Sequence, residues 1–200
     1  MGSVAQVIVR IETALGDIRV GLAAAAAPAT VANFLRYVDA GLYDGGRFHR
    51  TVRSDNQANA NLGAEAIGAG IDPAADRSRL PNDAIPIEVI QGGIDPAREA
   101  ELGPPIPLER TVHTGLSHRD GTISMARLTP DSAVSDFFIC INDQPELDFG
   151  GRRNPDGQGF AAFGRVLDGM QVVRAIQRQP ASGQRLDPPV VIRRIAREEG

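Results

Sequence analysis

Apolar and polar residues alternate along several short stretches of the chain, which is typical of β-strands. In residues 7–12, apolar positions alternate with Arg10 and Glu12 and predict a first strand. Gly16-Asp17 then predicts a turn into a second strand at Ile18–Leu22. The same pattern predicts further strands at Arg47–Val52, Ile87–Gln91, Thr122–Met125, Phe137–Ile141, Phe160–Leu167 and Val190–Ala196.

Two stretches repeat apolar residues with the period of an α-helix. Between Val31 and Val38 they recur at i, i+3, i+4 and i+7, with Pro28 suited to the first turn and Gly41 to the C-terminal end. A second helix is predicted from about Met170 to Ile176. Many short strands with only two helices predict a mostly β sandwich or barrel, not a parallel α/β sheet.

One stretch, Ala58–Leu80, shows little periodicity and is rich in alanine, glycine and asparagine. We interpret it as a loop inserted into a single domain that spans residues 1–200. A tolerated surface excursion is the favoured interpretation, and a lid at the rim of a nearby site is the alternative.

Composition narrows the possible functions. The chain has 200 residues, 42% of them hydrophobic, and a net charge of −4. A chain of this length and hydrophobic content can form one hydrophobic core. Its negative net charge argues against a basic surface that binds nucleic acid. All 21 basic residues are arginine, so chemistry that needs a lysine, such as Schiff-base formation or a P-loop, is excluded.

The sequence gives little evidence for a membrane-spanning segment or for a reactive cysteine. No apolar run approaches the roughly 18 residues needed to span a bilayer, so we expect no membrane partner. The single cysteine, Cys140, stands in an apolar run and is expected to be a buried, inert thiol. We expect a cytoplasmic location, or a periplasmic one if a signal peptide has been removed.

Candidate chemistry comes from three of the predicted strands. Arg50 and Gln91 are polar residues among apolar neighbours, and the pair Phe137 and Phe138 lies on a third strand. A cation and an amide beside an apolar patch can bind a neutral peptide, but they lack the groups for nucleophilic attack. His49 precedes Arg50 on the strand, so we expect the two side chains to face opposite sides.

Five motifs in this order resemble the cyclophilin family of peptidyl-prolyl isomerases. They are Phe48-His49-Arg50, Val89-Ile90-Gln91-Gly92-Gly93, Ile123-Ser124-Met125-Ala126, Asp136-Phe137-Phe138-Ile139 and Phe163-Gly164-Arg165-Val166. The similarity runs from about Val7 to about Ala196. It implies a closed eight-stranded antiparallel β-barrel with an α-helix covering each open end, a choice that the hydrophobic pattern alone leaves open.

The resemblance also implies an activity without a cofactor: cis–trans isomerisation of Xaa–Pro bonds in unfolded or extended chains, which assists protein folding. Arg50 would donate to the prolyl nitrogen, and Gln91 would hold the substrate carbonyl or orient Arg50. The backbone at Ala126 and Arg127 would pair with the peptide like an added strand. The resemblance places five further side chains at the substrate: Val89, Asp136, Phe138, Leu147 and Phe160.

Several positions depart from the family pattern. Val89 replaces the usual methionine, and Phe160 replaces a histidine. Asp136 stands where glutamine is common, and would pair with Arg50 or favour a cationic residue in the substrate. Glu146 stands where members that bind cyclosporin tightly carry tryptophan. Such replacements are familiar in bacterial members, so we expect an active monomer with weak cyclosporin binding.

Other interpretations stay open or are set aside. A module of the same fold would hold proline-containing peptides without accelerating them, although Arg50 and Gln91 together favour the enzyme. Residues 154–159 are oxygen-rich like a weak calcium loop, but a hairpin connection is the better explanation, and no metal site is predicted. His118-Arg119-Asp120 matches a kinase tripeptide by chance, because no glycine-rich phosphate loop accompanies it.

Overall fold

The computed structural model describes residues 6–60, 62, 65, 69 and 84–198. Its strands are β1 (Val7–Thr13), β2 (Gly16–Leu22), β3 (Arg47–Val52), β4 (Val89–Gly93), β5 (Thr122–Met125), β6 (Phe137–Cys140), β7 (Ala161–Asp168), β8 (Ala181–Ser182) and β9 (Arg185–Arg197). The α-helices that lie wholly within these residues are α1 (Pro28–Asp39), α2 (Thr111–Thr114) and α3 (Met170–Gln177). Short 3₁₀-helices span Pro96–Glu101 and Pro145–Leu147.

The strands form one antiparallel sheet that closes on itself. Neighbouring strands follow the order β1-β2-β7-β5-β6-β4-β3-β9, and β9 pairs back with β1. The two-residue strand β8 pairs only with β9, as a hairpin beside the ring. The mostly β fold, an eight-stranded antiparallel barrel implied by the resemblance, is therefore confirmed.

The barrel interior is filled by alternate residues of the ring strands. Val9 and Ile11 of β1 and Ile18 of β2 are fully buried, as period-two strands with one face in the core require. The helices α1 and α3 add apolar residues to the same core, among them Phe34 and Val173. The α1 helix begins at Pro28 as predicted, and Gly41 follows it with φ +64°.

The turn between β1 and β2 differs from the prediction. Thr13 pairs with Gly16, so Ala14 and Leu15 form the two-residue turn and Gly16 already belongs to β2. Gly16 has φ +125°, and a Cβ there would lie 2.8 Å from a methyl group of Val172 in α3. This glycine therefore serves close packing beneath the helix.

The pattern misses some elements and misplaces others. It predicts Ile87–Gln91 where the structure has β4, two residues later, and it contains no signal for β8 or α2. The predicted insertion at Ala58–Leu80 lies largely outside the described residues. Within the described residues, no helix is both long and apolar enough to cross a bilayer.

Candidate active site

Three predicted site residues lie side by side on adjacent strands. Arg50 of β3 is the Cα partner of Gln91 of β4, and Gln91 is the partner of Phe138 of β6. Directly opposed residues of an antiparallel sheet project to the same face. The sheet therefore places a guanidinium, an amide and an aromatic ring in one line across three strands.

A β-bulge at His49 explains how Arg50 reaches this face. Phe48 pairs with Gly92 and Arg50 with Gln91, so His49 is the extra residue on β3. Without the bulge, Phe48 and Arg50 would share a face, because they are two residues apart. With it, Phe48 is fully buried in the barrel core while Arg50 lines the site.

The expectation that His49 faces away from Arg50 is wrong. Its ring is 39% exposed, and Nε2 lies 3.1 Å from Oδ2 of Asp136, a residue of the same site. The bulge breaks the alternation on which the expectation relied.

A second apolar cluster, separate from the barrel core, forms the wall of the site. Phe138 and Cys140 alternate along β6 with Phe137 and Ile139, which belong to the core. Val52, Ile87, Val89 and Leu147 complete this outer cluster, and Ala126 and Phe160 pack against it. The rings of Phe138 and Phe160 meet edge to face with centroids 5.5 Å apart, a favourable aromatic geometry.

The outer cluster borders a cavity of about 550 Å³. All nine predicted site residues line it: Arg50, Val89, Gln91, Ala126, Arg127, Asp136, Phe138, Leu147 and Phe160. The cavity therefore combines one largely apolar wall with a polar wall that carries Arg50. Ile87, which the sequence analysis did not select, adds a further apolar side chain.

Hydrogen bonds connect the polar side chains of the cavity. Nη1 of Arg50 donates to Oε1 of Gln91 at 3.1 Å, and Nε2 of Gln91 donates to Oδ2 of Asp136 at 3.2 Å. That carboxylate also contacts His49, so the link from Asp136 to Arg50 runs through Gln91. Nε and Nη2 of Arg50 both donate to Oε1 of Gln184, at 3.0 and 2.6 Å.

Gly93 leaves room for the Asp136 carboxylate. A Cβ added to Gly93 would collide with Oδ1 of Asp136. The glycine at the end of β4 therefore permits the carboxylate to stand beside Gln91.

The backbone of Ala126 is partly committed within the protein. Its N–H donates to the carbonyl oxygen of Asp136 at 2.9 Å. A peptide that pairs there as an added strand must therefore use other backbone groups of Ala126 and Arg127.

The Arg127 side chain supports the wall of the cavity. It is 1% exposed, and it donates to both carboxylate oxygens of Asp156 and to the carbonyl oxygen of Gly159. Its guanidinium carbon lies 5.0 Å from the ring centroid of Phe160. Arg127 thus holds Asp156, Gly159 and Phe160 together, a role that was not predicted from the sequence.

The contacts between Arg127 and Asp156 argue against calcium binding at residues 154–159. Both carboxylate oxygens of Asp156 accept from Arg127, and a buried guanidinium repels a bound cation. Residues 154–159 lie in the connection between the 3₁₀-helix at Pro145–Leu147 and β7. The strands before and after this connection, β6 and β7, are not neighbours in the sheet, so the predicted hairpin is wrong.

His118, set aside as part of a chance motif, lies behind the cavity wall. It is 1% exposed and stacks on Phe138, with ring centroids 6.0 Å apart and an angle of 16°. Nδ1 lies 2.6 Å from Asp148 and Nε2 lies 2.9 Å from Ser124. Because both ring nitrogens have partners, this polar ring is tolerated in the interior.

The thiol of Cys140 is buried, as predicted. Burial raises the pKa of Cys140 well above its ordinary value, and the charge of Asp148 adds to the effect. The thiolate, which is the reactive form, is therefore suppressed in the folded protein.

Comparisons with known proteins identify the family of the chain. The family model for cyclophilin type peptidyl-prolyl cis-trans isomerase/CLD matches residues 8–197. The chain is 34% identical over 170 residues to peptidyl-prolyl cis-trans isomerase cyp18 of Streptomyces antibioticus, covering 84% of this chain and 82% of the relative. It is 31% identical to an isomerase of Acinetobacter baylyi, over 90% of this chain and 77% of the relative.

Solved structures show the same fold. A cyclophilin type isomerase of Cryptosporidium parvum superposes with a TM-score of 0.69 at 21% identity, covering 98% of this chain and 99% of that chain. Fold, family model and bacterial relatives converge, and the chain belongs to the cyclophilin-type peptidyl-prolyl cis-trans isomerases.

Proposed function

We propose that Arg50 accelerates rotation about Xaa–Pro bonds by donating a hydrogen bond to the prolyl nitrogen. In the planar amide the nitrogen lone pair is conjugated with the carbonyl, whereas in the twisted state it is a free acceptor. A donor at this nitrogen therefore favours the transition state over both planar states. Arg50 suits this role because its guanidinium stays charged and presents donors in a rigid plane.

The Arg50 hydrogen bond contributes only part of the rate enhancement. Rotation crosses a barrier of about 18–20 kcal/mol and takes about 10–100 s unaided. Reaching milliseconds requires roughly 10⁴-fold, or about 5–6 kcal/mol, whereas one charge-assisted hydrogen bond contributes about 1.5–3 kcal/mol. The remainder would come from fixing the proline ring and excluding water.

The outer cluster is suited to hold that ring. Val89, Phe138 and Leu147 are each at most 5% exposed and face the cavity. Gln91, bonded to Arg50, would receive the substrate carbonyl or orient the guanidinium. A solved cyclophilin of Cryptosporidium parvum was crystallised in the presence of the dipeptide Ala-Pro, which supports proline-containing peptides as the ligands of this cavity.

The decisive experiment compares peptide isomerisation by the wild type and by Arg50→Ala. We expect at least a ten-fold loss of kcat/KM in the variant, because about 1.4 kcal/mol of transition-state stabilisation corresponds to ten-fold. Arg119→Ala is the matched control, since Arg119 is 67% exposed and pairs with Asp143 outside the cavity. Equal rates for all three proteins would refute the role of Arg50, and a wild type that binds peptides without accelerating them would instead be a binding module.

Weak cyclosporin binding is part of this proposal. Glu146 accepts from the guanidinium of Arg152 at 2.6 Å and from its backbone N–H, so a charged pair stands where tight binders carry an indole. Isothermal titration with cyclosporin A should give a Kd above the micromolar range. The monomeric state and the cytoplasmic location stay predictions.

A further inference from the structure

The β8–β9 hairpin carries a second glutamine to Arg50. Oε1 of Gln184 accepts from both Nε and Nη2 of Arg50, at 3.0 and 2.6 Å. Gln91 accepts from the remaining nitrogen, Nη1. All three guanidinium nitrogens thus donate to one of two glutamine oxygens, one on each side of Arg50.

The position of Gln184 is fixed by its surroundings. Its carbonyl oxygen accepts from the backbone N–H of Thr51 at 2.8 Å, directly after Arg50 on β3. The side chain of Asn56 donates to the carbonyl oxygens of both Thr51 and Gly183, and so ties the end of β3 to the hairpin turn. The hairpin is therefore anchored to the strand that carries Arg50.

The orientation of the Gln184 amide also follows from its partners. A guanidinium only donates, so the atom that faces Arg50 must be the oxygen. The amide nitrogen then points to the carbonyl oxygen of Asn56, at 3.4 Å. Gln184 can accept from Arg50 but cannot replace it as a donor.

We propose that Gln184 is a positioning residue that holds the Arg50 guanidinium in the orientation needed at the prolyl nitrogen. The proposal rests on the catalytic role of Arg50 given above. An arginine side chain has many rotamers, and two acceptors on different nitrogens restrict the guanidinium plane before substrate binds. Gln184 lies outside the residues that line the cavity, so it acts through Arg50.

The test replaces Gln184 by methionine, which keeps the length of the side chain and removes the acceptor. We expect kcat to fall about five-fold while KM stays within about two-fold, because the lost contact orients the catalytic group and does not bind substrate. Gln184→Glu keeps an oxygen toward Arg50 and should retain more activity than Gln184→Met. The matched control is Gln179→Met, since Gln179 is also half-buried and its amide donates to Ala175 of α3.

A double-mutant cycle separates positioning from a structural role. In the Arg50→Ala background, Gln184→Met should cause no further loss, because the group it positions is already gone. In NMR spectra, the Nε–H proton of Arg50 should exchange faster with solvent in Gln184→Met than in the wild type, with an unchanged melting temperature.

Two results would overturn the inference alone. One is a fully active Gln184→Met beside an impaired Arg50→Ala. The other is an equal loss from Gln184→Met in the wild-type and Arg50→Ala backgrounds, which would mean that Gln184 acts elsewhere. Full activity of Arg50→Ala would overturn the proposed function, and this inference with it.

Discussion

Phe137 and Phe138 are consecutive residues of β6, but they belong to different regions of the molecule. Phe137 lies in the barrel core, where its ring meets Phe34, Tyr43 and Phe48 nearly perpendicularly at centroid distances of 5.5–5.8 Å. Phe138 lies in the outer cluster, edge to face with Phe160 and stacked on a histidine. One face of the strand therefore packs against the closed interior, and the other is open to a cavity.

The difference shows how a small barrel separates stability from binding. The four rings of this interior group are 0% exposed, so each of them contributes to the free energy of unfolding. The outer cluster has apolar side chains on one side only, and a proline ring would complete it. Substitutions on the two faces should therefore affect different measurements.

Phe137→Ala should have the largest effect and act on stability. Deleting this ring from a filled core should cost about 3–5 kcal/mol in the free energy of unfolding. The protein that stays folded should keep its kcat/KM within about two-fold. Urea unfolding followed by circular dichroism, with an isomerisation assay at low temperature, would measure both; an inactive but stable variant would break the comparison.

Phe138→Ala should lower activity more than stability. We expect kcat/KM for proline peptides to fall about ten-fold, with a smaller loss of stability of about 2 kcal/mol, because water can enter the space beside the open cavity. The same two assays apply. A stability loss equal to that of Phe137→Ala, with normal catalysis, would show that Phe138 is only a core residue.

Asp136→Asn should sharpen the comparison at the polar wall. The carboxylate is 41% exposed, so we expect it to favour substrates with a basic residue near the proline. The variant should lose about three-fold in kcat/KM for such peptides and much less for neutral ones, and the difference should shrink at high salt. Equal losses for both peptides would contradict this, and the melting temperature should not change.

Glu198→Gln should have the smallest effect, because the residue belongs to neither region. Hydrogen bonds from Arg19 and Arg10 lower the pKa of Glu198 from 4.5 to about 2. Because this carboxyl has a lower pKa in the folded than in the unfolded protein, it stabilises the folded state at pH values above the unfolded pKa. This stabilisation is lost as the pH falls toward the folded pKa. The variant should melt about 1–2 °C below the wild type at pH 7, and this gap should close between pH 4.5 and 2. A gap that widens on acidification would refute the assignment.

Hydrophobic periodicity predicts the elements whose two faces differ strongly. It locates β3 and β5 at their observed bounds, although the bulge at His49 interrupts the alternation of β3. It fails for β8, since two residues cannot display alternation, and for the β1–β2 turn, where Gly16 serves packing beneath α3. The barrel itself follows from the resemblance, because closure depends on the long-range pairing of β1 with β9.

The site was predictable where a motif marks it. The cyclophilin motifs identify Arg50 and Gln91, whereas Gln184 reaches Arg50 across 134 positions in the chain without any motif. His118 was missed because only folding brings Asp148 and Ser124 to its two ring nitrogens. One feature of the sequence could have indicated the bulge in β3. Phe48 and Arg50 are two positions apart, so a strand that places Phe48 in the core and Arg50 in the site needs a bulge between them.

The closed ring also affects how the enzyme meets its clients. Unfolded chains carry unpaired amides and carbonyls, which add readily to the side of an open sheet and begin aggregates. Each of the eight ring strands already has a neighbour on both sides. Among the described residues, an unfolded chain therefore finds no long strand with a free edge to extend, which disfavours aggregation on the surface of the barrel.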